Sequence, residues 1–479
     1  MSEELGLKTK KIEDFSEWYL EVIEKAEIVD TRYGVKGFQI FLPLGMSAME
    51  NIVRIFEEEL QERDYKQVLF PTVIPESYFK KESKHIKGFE QEVFWITHAG
   101  KNKLEERLSL RPTSETAMYP MFALWLRSYS QLPFKIYQKG TVFRYDTKMT
   151  KPLLRGREYY WIEAHTAHKS FEDAENQTKE DYEIFKEVLN HFALPFLTLR
   201  RPDWDKFPGA DVTYAFDTVL PDGKIIQIGT THNLGENFSK VFKVRYLDAK
   251  GRKKFVSQTS YGPGIMRILG TLISIHGDNK GVIFSPNIAP IQIVIVPIYT
   301  KETKPTVLEK CGEVLGRLEE EGFRVHLDDR DFYSPGFKFN EWELKGVPLR
   351  IEIGPKDIEK RQVSMVRRDF LERFSVSDQM LEQQVVETLD SINYQLGKRA
   401  IDILSVTDAK NFNDVKDALK KGGFVRIDFC MRESCAKNLK NATGADIKGV
   451  LMEGGEKAKG NCAICNLKAK EKVYLGKSY

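Results

Sequence analysis

The sequence predicts an α+β fold on an antiparallel sheet, followed by a smaller α/β unit and a short cysteine-bearing unit. Three observations carry that order. Up to residue 288 helical segments mix with alternating strands, of which "ADVTYAFDTVL" and "KIIQIGTTHN" are joined by "PDG" in the manner of a hairpin. From 289 to 395 strands and helices alternate one for one, the mark of an α/β unit. From 396 to 479 the chain is rich in Lys and Gly, has few large apolar residues beyond its first helix, and holds four of the five cysteines, so it is expected to need a metal to fold.

The elements follow in order. "MSEELGLKTKKIEDFSEWYLEVIEKAE" places apolar residues at helical spacing without a continuous apolar run, so it reads as a helix and not as a signal peptide. Met49, Val53, Phe56 and Leu60 form a second helical stripe, a pattern that is core more often than interface. "FRYDTKMTKPLLRGREYYWIEAH" (143–165) reads as a hairpin with Arg144 on one strand, Arg155 near the turn and Tyr159 on the return strand. "SYGPGIMRILGTLISIHGDNKG" is a glycine-rich approach to an apolar helix that carries Arg267. "IQIVIVPIY" is β-branched and too short to span a bilayer, so it reads as a buried strand. Helix "TVLEKCGEVLGRLEEEG", strand "FRVHLDD", helix "FKFNEWELKG" and strand "PLRIEIG" complete the α/β unit.

At 479 residues and 41% hydrophobic content, the chain can bury several cores. Its 73 basic side chains nearly balance 70 acidic ones, and the net charge of +3 calls for no polyanionic partner, so any nucleic-acid surface is local. Nothing reads as a membrane segment, and a cytoplasmic location is expected. In a reducing compartment Cys430-x4-Cys435, 26 further residues and Cys462-x2-Cys465 read as four thiolates for one tetrahedral zinc, with no position open to water. Cys311, alone in a helical pattern, reads as core.

The hairpin arginines and a ring could hold a triphosphate and a base, each charge-assisted contact contributing about 1.5–3 kcal/mol. A solvated strand face, with the arginines paired to Asp146, Glu158 and Glu163, fits the hairpin equally well. Arg267 adds weight to the first reading, because a guanidinium entering an apolar helix needs an anion, either a ligand or a buried carboxylate.

Taken together, these stretches resemble the class II aminoacyl-tRNA synthetases. Arg144, Asp146, Arg155, Tyr159 and Glu163 stand at the positions of their second motif, the stretch ending in Arg267 resembles the third, and "YKQVLFP", ending at Pro71, resembles the first. Asp64 stands where the first motif often has glycine. "RPTSE" (111–115), "WIEAHTAH" (161–168), "IGTTHNLGENFSK" (228–240) and "HGD" (276–278) are similar to the prolyl-tRNA synthetases in particular.

The resemblance implies a class II catalytic domain over 1–288, an anticodon-binding domain over 289–395 and a zinc-binding domain over 396–479. It implies a homodimer that attaches L-proline to tRNA(Pro) through prolyl-adenylate, using ATP with Mg²⁺. Arg144 would bridge the α-phosphate and the amino-acid carboxylate, Arg155 and Arg267 hold the far phosphates, and Tyr159 stack on adenine near Asp146, Gln227 and Thr230. Thr113 and Glu115 would accept from proline's secondary ammonium, Trp161 and Phe207 wall its ring, Glu163, His165 and His232 close the polar side, and Gly262 allow close approach. Thr113 as a helix cap and Trp161 as ordinary core are the plainer alternatives. Asp329, Glu341 and Glu343 could accept from anticodon guanines, with Arg330 or Lys345 on phosphates. The roughly 100 residues between the second and third motifs read as sheet strands and not as an editing insertion, which implies the archaeal and eukaryote-like type, in which the final tyrosine, Tyr479, returns towards the active site. The rival readings are a class II enzyme for threonine, which would need cysteine at its active site, and a non-catalytic RNA-binding paralogue.

Overall fold

The protein is described from a computed structural model that covers residues 6–81, 92–145 and 149–479. Asp146 lies outside the described residues. An eleven-stranded sheet runs through the first and last units. Its first seven strands, in spatial order, are Lys66–Gln67, Phe134–Phe143, Glu158–His168, Ser257–Pro263, Ile225–Gly235, Val212–Val219 and Leu197–Arg200. Neighbours are antiparallel except Lys66–Gln67, which runs parallel to Phe134–Phe143. Helices Pro43–Glu62, Phe171–His191 and Ile265–His276 cover one face.

Strand alternation divides the residues between the two faces. Ile162 and Ala164 join the helix-side core, whereas Trp161, Glu163 and His165, between and beside them, point to the other side. Met49, Val53, Phe56 and Leu60 are at most 1% exposed and pack in that core with Phe185 and Phe192, so this stripe is used inside the chain. The apolar side chains left exposed in this unit include Leu69 at 82%, Leu124 at 58% and Leu247 at 43%. Asp64 has φ of 65°, in the left-handed region that Asp tolerates and glycine enters freely, which explains how it replaces a glycine there. Between the hairpin and Arg267 the chain forms helices Phe171–His191 and Asn237–Phe242, sheet strands and the two-stranded sheet of Arg245–Leu247 with Lys253–Phe255, with no additional folded unit.

The α/β unit forms a five-stranded sheet in the order Val325–Leu327, Ile293–Pro297, Leu349–Ile353, Gln362–Arg367 and Arg373–Ser377. The first three strands are parallel, as alternation with helices Lys304–Glu320 and Pro335–Lys345 requires. Cys311 is fully buried in this unit's core.

The last unit differs from the expectation. Its strand Ala445–Leu451 pairs with Leu197–Arg200, Val450 opposite Arg200 and Leu451 opposite Leu199, so it extends the first unit's sheet. It also has an apolar core of its own, including Val415, Val425, Ile427, Phe429, Leu439, Val473 and Leu475, and is not held by a metal alone. Its apolar residues are spread singly along strands and two helices, which made them look sparse. Among the described residues no helix is long and apolar enough to cross a membrane.

Candidate active site

On the sheet face opposite the helices lies a cavity of about 350 Å³. Thr113, Glu115, Arg144, Tyr159, Trp161, Phe207, Gln227, Thr230, His232, Gly262 and Arg267 all line it, although they come from widely separated stretches of the chain.

The strands set this arrangement. Gln227 and Thr230 are three residues apart and would face opposite ways on a regular strand. Phe216 pairs with Gly229 but Asp217 with Gln227, so Ile228 is an extra residue, and this bulge turns Gln227 to the same face as Thr230 and His232. Gly262 is required by contact, because a Cβ there would meet Trp161 Cζ3 at 2.7 Å.

The cationic end is built from arginines. Arg267 donates from Nε to Leu154 O at 3.0 Å and from Nη1 to Gln227 O at 2.8 Å, and its guanidinium lies 5.8 Å from the centre of the Tyr159 ring. No carboxylate among the described residues pairs with it, so the buried salt bridge that the sequence allowed is not formed. Burial, and then the charges of Arg144 and Arg155, lower its pKa below the ordinary arginine value, a strain that a polyanion would relieve. Arg144 Nε donates to Pro112 O at 2.9 Å. Arg155 stands apart from the cavity lining: its Nη2 donates to the main-chain oxygen of Tyr479, whose ring it also approaches.

The other end is acidic and aromatic. Glu115, 2% exposed, accepts from Thr113 Oγ1 on Oε2 and from Ser260 Oγ at 3.1 Å on Oε1. Thr113 therefore does not cap the helix Glu115–Trp125, whose N-cap position is Ser114. The Phe207 and His232 rings lie tilted against each other, their centres 4.7 Å apart, and His232 Nδ1 lies 3.0 Å from Thr213 Oγ1. Burial, with His165, Arg201 and Arg144 nearby, pushes His232 down to about 3, so it is neutral at physiological pH.

Glu163 and His165 correct the sequence reading. They do not line the cavity but form a buried layer beneath it, because Gln138 and Ser114 cover Glu163 and Tyr119 covers His165. Burial opposes ionisation of Glu163, yet its bonds with His165, Ser114 and Gln138 hold its pKa below the usual value. Sequence reading missed Arg201, Asp217 and Ser260. Ser260 was findable, since it lies two residues before Gly262 on the same strand face; Arg201 carries no local signal.

Away from the cavity, the sulfur atoms of Cys430, Cys435, Cys462 and Cys465 all lie within 4.8 Å of one another. The Cys435–Cys462 and Cys430–Cys465 separations of 3.8 and 3.7 Å match the edge of about 3.8 Å that tetrahedral Zn–S bonds of about 2.3 Å imply. Arg432 donates to Cys430 Sγ at 3.4 Å and Cys465 Sγ at 3.0 Å. In the α/β unit Glu341 pairs with Arg330 at 2.7 Å and Lys345 at 3.0 Å, and Glu343 with Lys280 at 2.8 Å and Arg350 at 2.9 Å. Lys345 also reaches Glu27 at 2.7 Å, and Asp329 is exposed.

Residues 94–276 match the family described as tRNA synthetase class II core domain (G, H, P, S and T). Residues 292–388 match the anticodon binding domain, and 412–479 the prolyl-tRNA synthetase C-terminal family. The proline–tRNA ligase of Thermofilum pendens is 48% identical over 484 residues, covering 100% of both chains. That of Thermococcus kodakarensis is 45% identical, covering 98% of this chain and 99% of its own. The solved structure of Giardia lamblia prolyl-tRNA synthetase in complex with prolyl-adenylate superimposes with a TM-score of 0.95 at 38% identity, covering 99% of this chain and 100% of that one. The Cryptosporidium parvum enzyme, complexed with halofuginone and AMPPNP, does so with a TM-score of 0.94 at 35% identity, covering 100% of both. With a class II core, an anticodon-binding unit and the matching C-terminal unit in one chain, and relatives this similar over their full length, the chain belongs to the prolyl-tRNA synthetase family.

Proposed function

We propose that the chain attaches L-proline to tRNA(Pro) in two steps. A proline carboxylate oxygen attacks the α-phosphorus of ATP, the bond to the bridging oxygen breaks, and pyrophosphate leaves with the electron pair. The prolyl group then passes from the adenylate to a terminal ribose hydroxyl of the tRNA, and AMP leaves. A carboxylate is already a nucleophile, so the first step needs alignment and charge stabilisation, not a general base.

Arg144 aligns the carboxylate with the α-phosphate, Arg267 takes the outer phosphates, which Arg155 joins by giving up its bond to the Tyr479 main-chain oxygen, and Tyr159 stacks on adenine. Gln227 and Thr230 face the adenosine, Asp146 completes the nucleotide contacts, and Mg²⁺ accompanies the phosphates. Proline's two N–H donors meet Thr113 and Glu115, and its ring lies against Trp161, Gly262 and Phe207. Neutral His232 puts no positive charge beside the ammonium, while Glu163 and His165 fix the floor.

The observation that carries this reading is that one cavity holds at one end a half-buried guanidinium, that of Arg267, with no carboxylate partner among the described residues, and at the other a buried carboxylate, Glu115. The test is amino-acid-dependent exchange of pyrophosphate into ATP with proline, threonine, alanine and cysteine, beside Arg267→Ala. Exchange strongest with proline and lost in the variant is expected. Exchange with threonine alone would overturn the substrate, and none with any of them would overturn the activity. Against the threonine reading, Cys311 lies in the α/β core and the other cysteines in the metal cluster, so no thiol lines the cavity.

The four cysteines hold one structural Zn²⁺, which metal analysis of the purified protein checks. The thiol site supports a reducing, cytoplasmic setting. Asp329, Arg330, Glu341, Glu343 and Lys345 remain the candidates for the anticodon, and two chains form the working homodimer.

A further inference from the structure

We propose that Arg201 is a positioning residue for adenylation, turning the Gln227 amide towards the nucleotide and tying that setting to the C-terminal unit. The inference rests on the reading of the cavity as the ATP site. Arg201 is 8% exposed, and its guanidinium forks onto the fully buried Asp217 at 2.7 and 2.9 Å, which fixes its plane. Two further bonds leave that fixed plane. Nη2 donates to Gln227 Oε1 at 3.1 Å, and Nη1 donates to the main-chain oxygen of Lys448 at 2.6 Å.

With Oε1 engaged as an acceptor, the amide NH₂ is the group that Gln227 has left to offer, and its residue lines the cavity. It is a donor, suited to a ribose or phosphate oxygen. Gln227's own carbonyl is held by Arg267, so two guanidiniums set this residue from its two ends.

Two bulges bring the parts together. Ile228 is the extra residue that turns Gln227 into the site. On the C-terminal strand Ile447 pairs with Leu475 but Gly449 with Tyr474, so Lys448 is the extra residue there, and its carbonyl meets Arg201. Gly449, at φ 138°, is pressed against Arg200, where a Cβ would come within 2.2 Å of the carbonyl oxygen.

The experiment is proline-dependent pyrophosphate exchange on the full-length wild type, Arg201→Lys, Gln227→Ala, their double variant and Gln227→Glu. Lysine keeps a charge opposite Asp217 but cannot reach both of its oxygens and Gln227. It is expected to raise the ATP KM about tenfold, the effect of one lost charge-assisted bond, with the proline KM little changed. The double variant should be no worse than Gln227→Ala, because Arg201 acts through that side chain. Gln227→Glu leaves the buried pair intact and keeps an acceptor for Arg201 but removes the donor, so it should also raise the ATP KM without lowering the thermal midpoint. An unchanged ATP KM in Arg201→Lys or Gln227→Glu, effects that multiply in the double variant, or equal shifts for ATP and proline would overturn the inference. A wild type without exchange would instead overturn the reading of the cavity.

Discussion

Glu115 is the proposed partner of the substrate's ammonium. Both its oxygens are oriented by hydroxyls, Thr113 on one side and Ser260 on the other, and the residue itself is 2% exposed. A secondary ammonium brings charge and two donors to that carboxylate, and in such surroundings the contact is worth about 1.5–3 kcal/mol. Glu115→Gln is therefore expected to raise the proline KM by roughly 10- to 100-fold and to leave the ATP KM near wild type, as read in the exchange assay. Equal losses for both substrates would mean that Glu115 supports the site instead of meeting proline. Ser260→Ala should follow in the same direction and more weakly, since Thr113 still holds the other oxygen.

At the scale of elements, alternation told which strand residues belong together and bulges decided what alternation could not. Trp161 could be read as a wall for proline's ring or as ordinary core, and only the structure places it on the cavity lining, whereas the burial of Glu163 depends on Gln138 and Ser114, which come from distant stretches of the chain. The stripe on Pro43–Glu62 was legible as a stripe, but its partners Phe185 and Phe192 lie more than a hundred residues away. The helix Pro335–Lys345 poses the same problem for the anticodon. Its Glu341 and Glu343 both sit in ion pairs, and Glu343 ties the α/β unit to Lys280 of the first unit. Guanine edges must replace those partners to be read. Replacing both glutamates by alanine is expected to raise the tRNA KM and spare proline-dependent exchange, and unchanged charging kinetics would remove both from the interface.

For the whole molecule, the three-part order was legible because each unit has its own periodicity. The continuity of the sheet from the first unit into the last was not, since it depends on one short strand pairing, Val450 and Leu451 with Arg200 and Leu199. The exposed Leu69, Leu124 and Leu247 are apolar surface that the chain itself does not cover, and a second copy is the proposed cover. Sedimentation at working concentration should give twice the chain mass; a single-chain species would contradict it.

The pH dependence of stability is also a property of the whole chain. Burial pushes His168 down to about 4, and His232 and His276 down to about 3, in three separate places. Burial pushes Asp181 up to about 6, against its bonds from Thr231, Tyr65 and Gln177. Between about pH 4.5 and 6 the unfolded chain binds protons on the three histidines that the folded chain refuses, while the folded chain keeps one on Asp181 that the unfolded chain releases. The unfolded state is thus ahead by roughly two protons, and stability falls as pH falls, by roughly 3 kcal/mol per unit. Calorimetry in buffers from pH 7.5 to 5 should show the midpoint dropping on the acid side of about 6.5, with proton uptake on unfolding. His276 lies outside the cavity, so His276→Gln should reduce that slope by about one proton and leave proline-dependent exchange in place. A midpoint flat down to pH 5 would mean that the histidines gain protons inside the fold, and the neutral His232 beside the proposed proline site would fall with it.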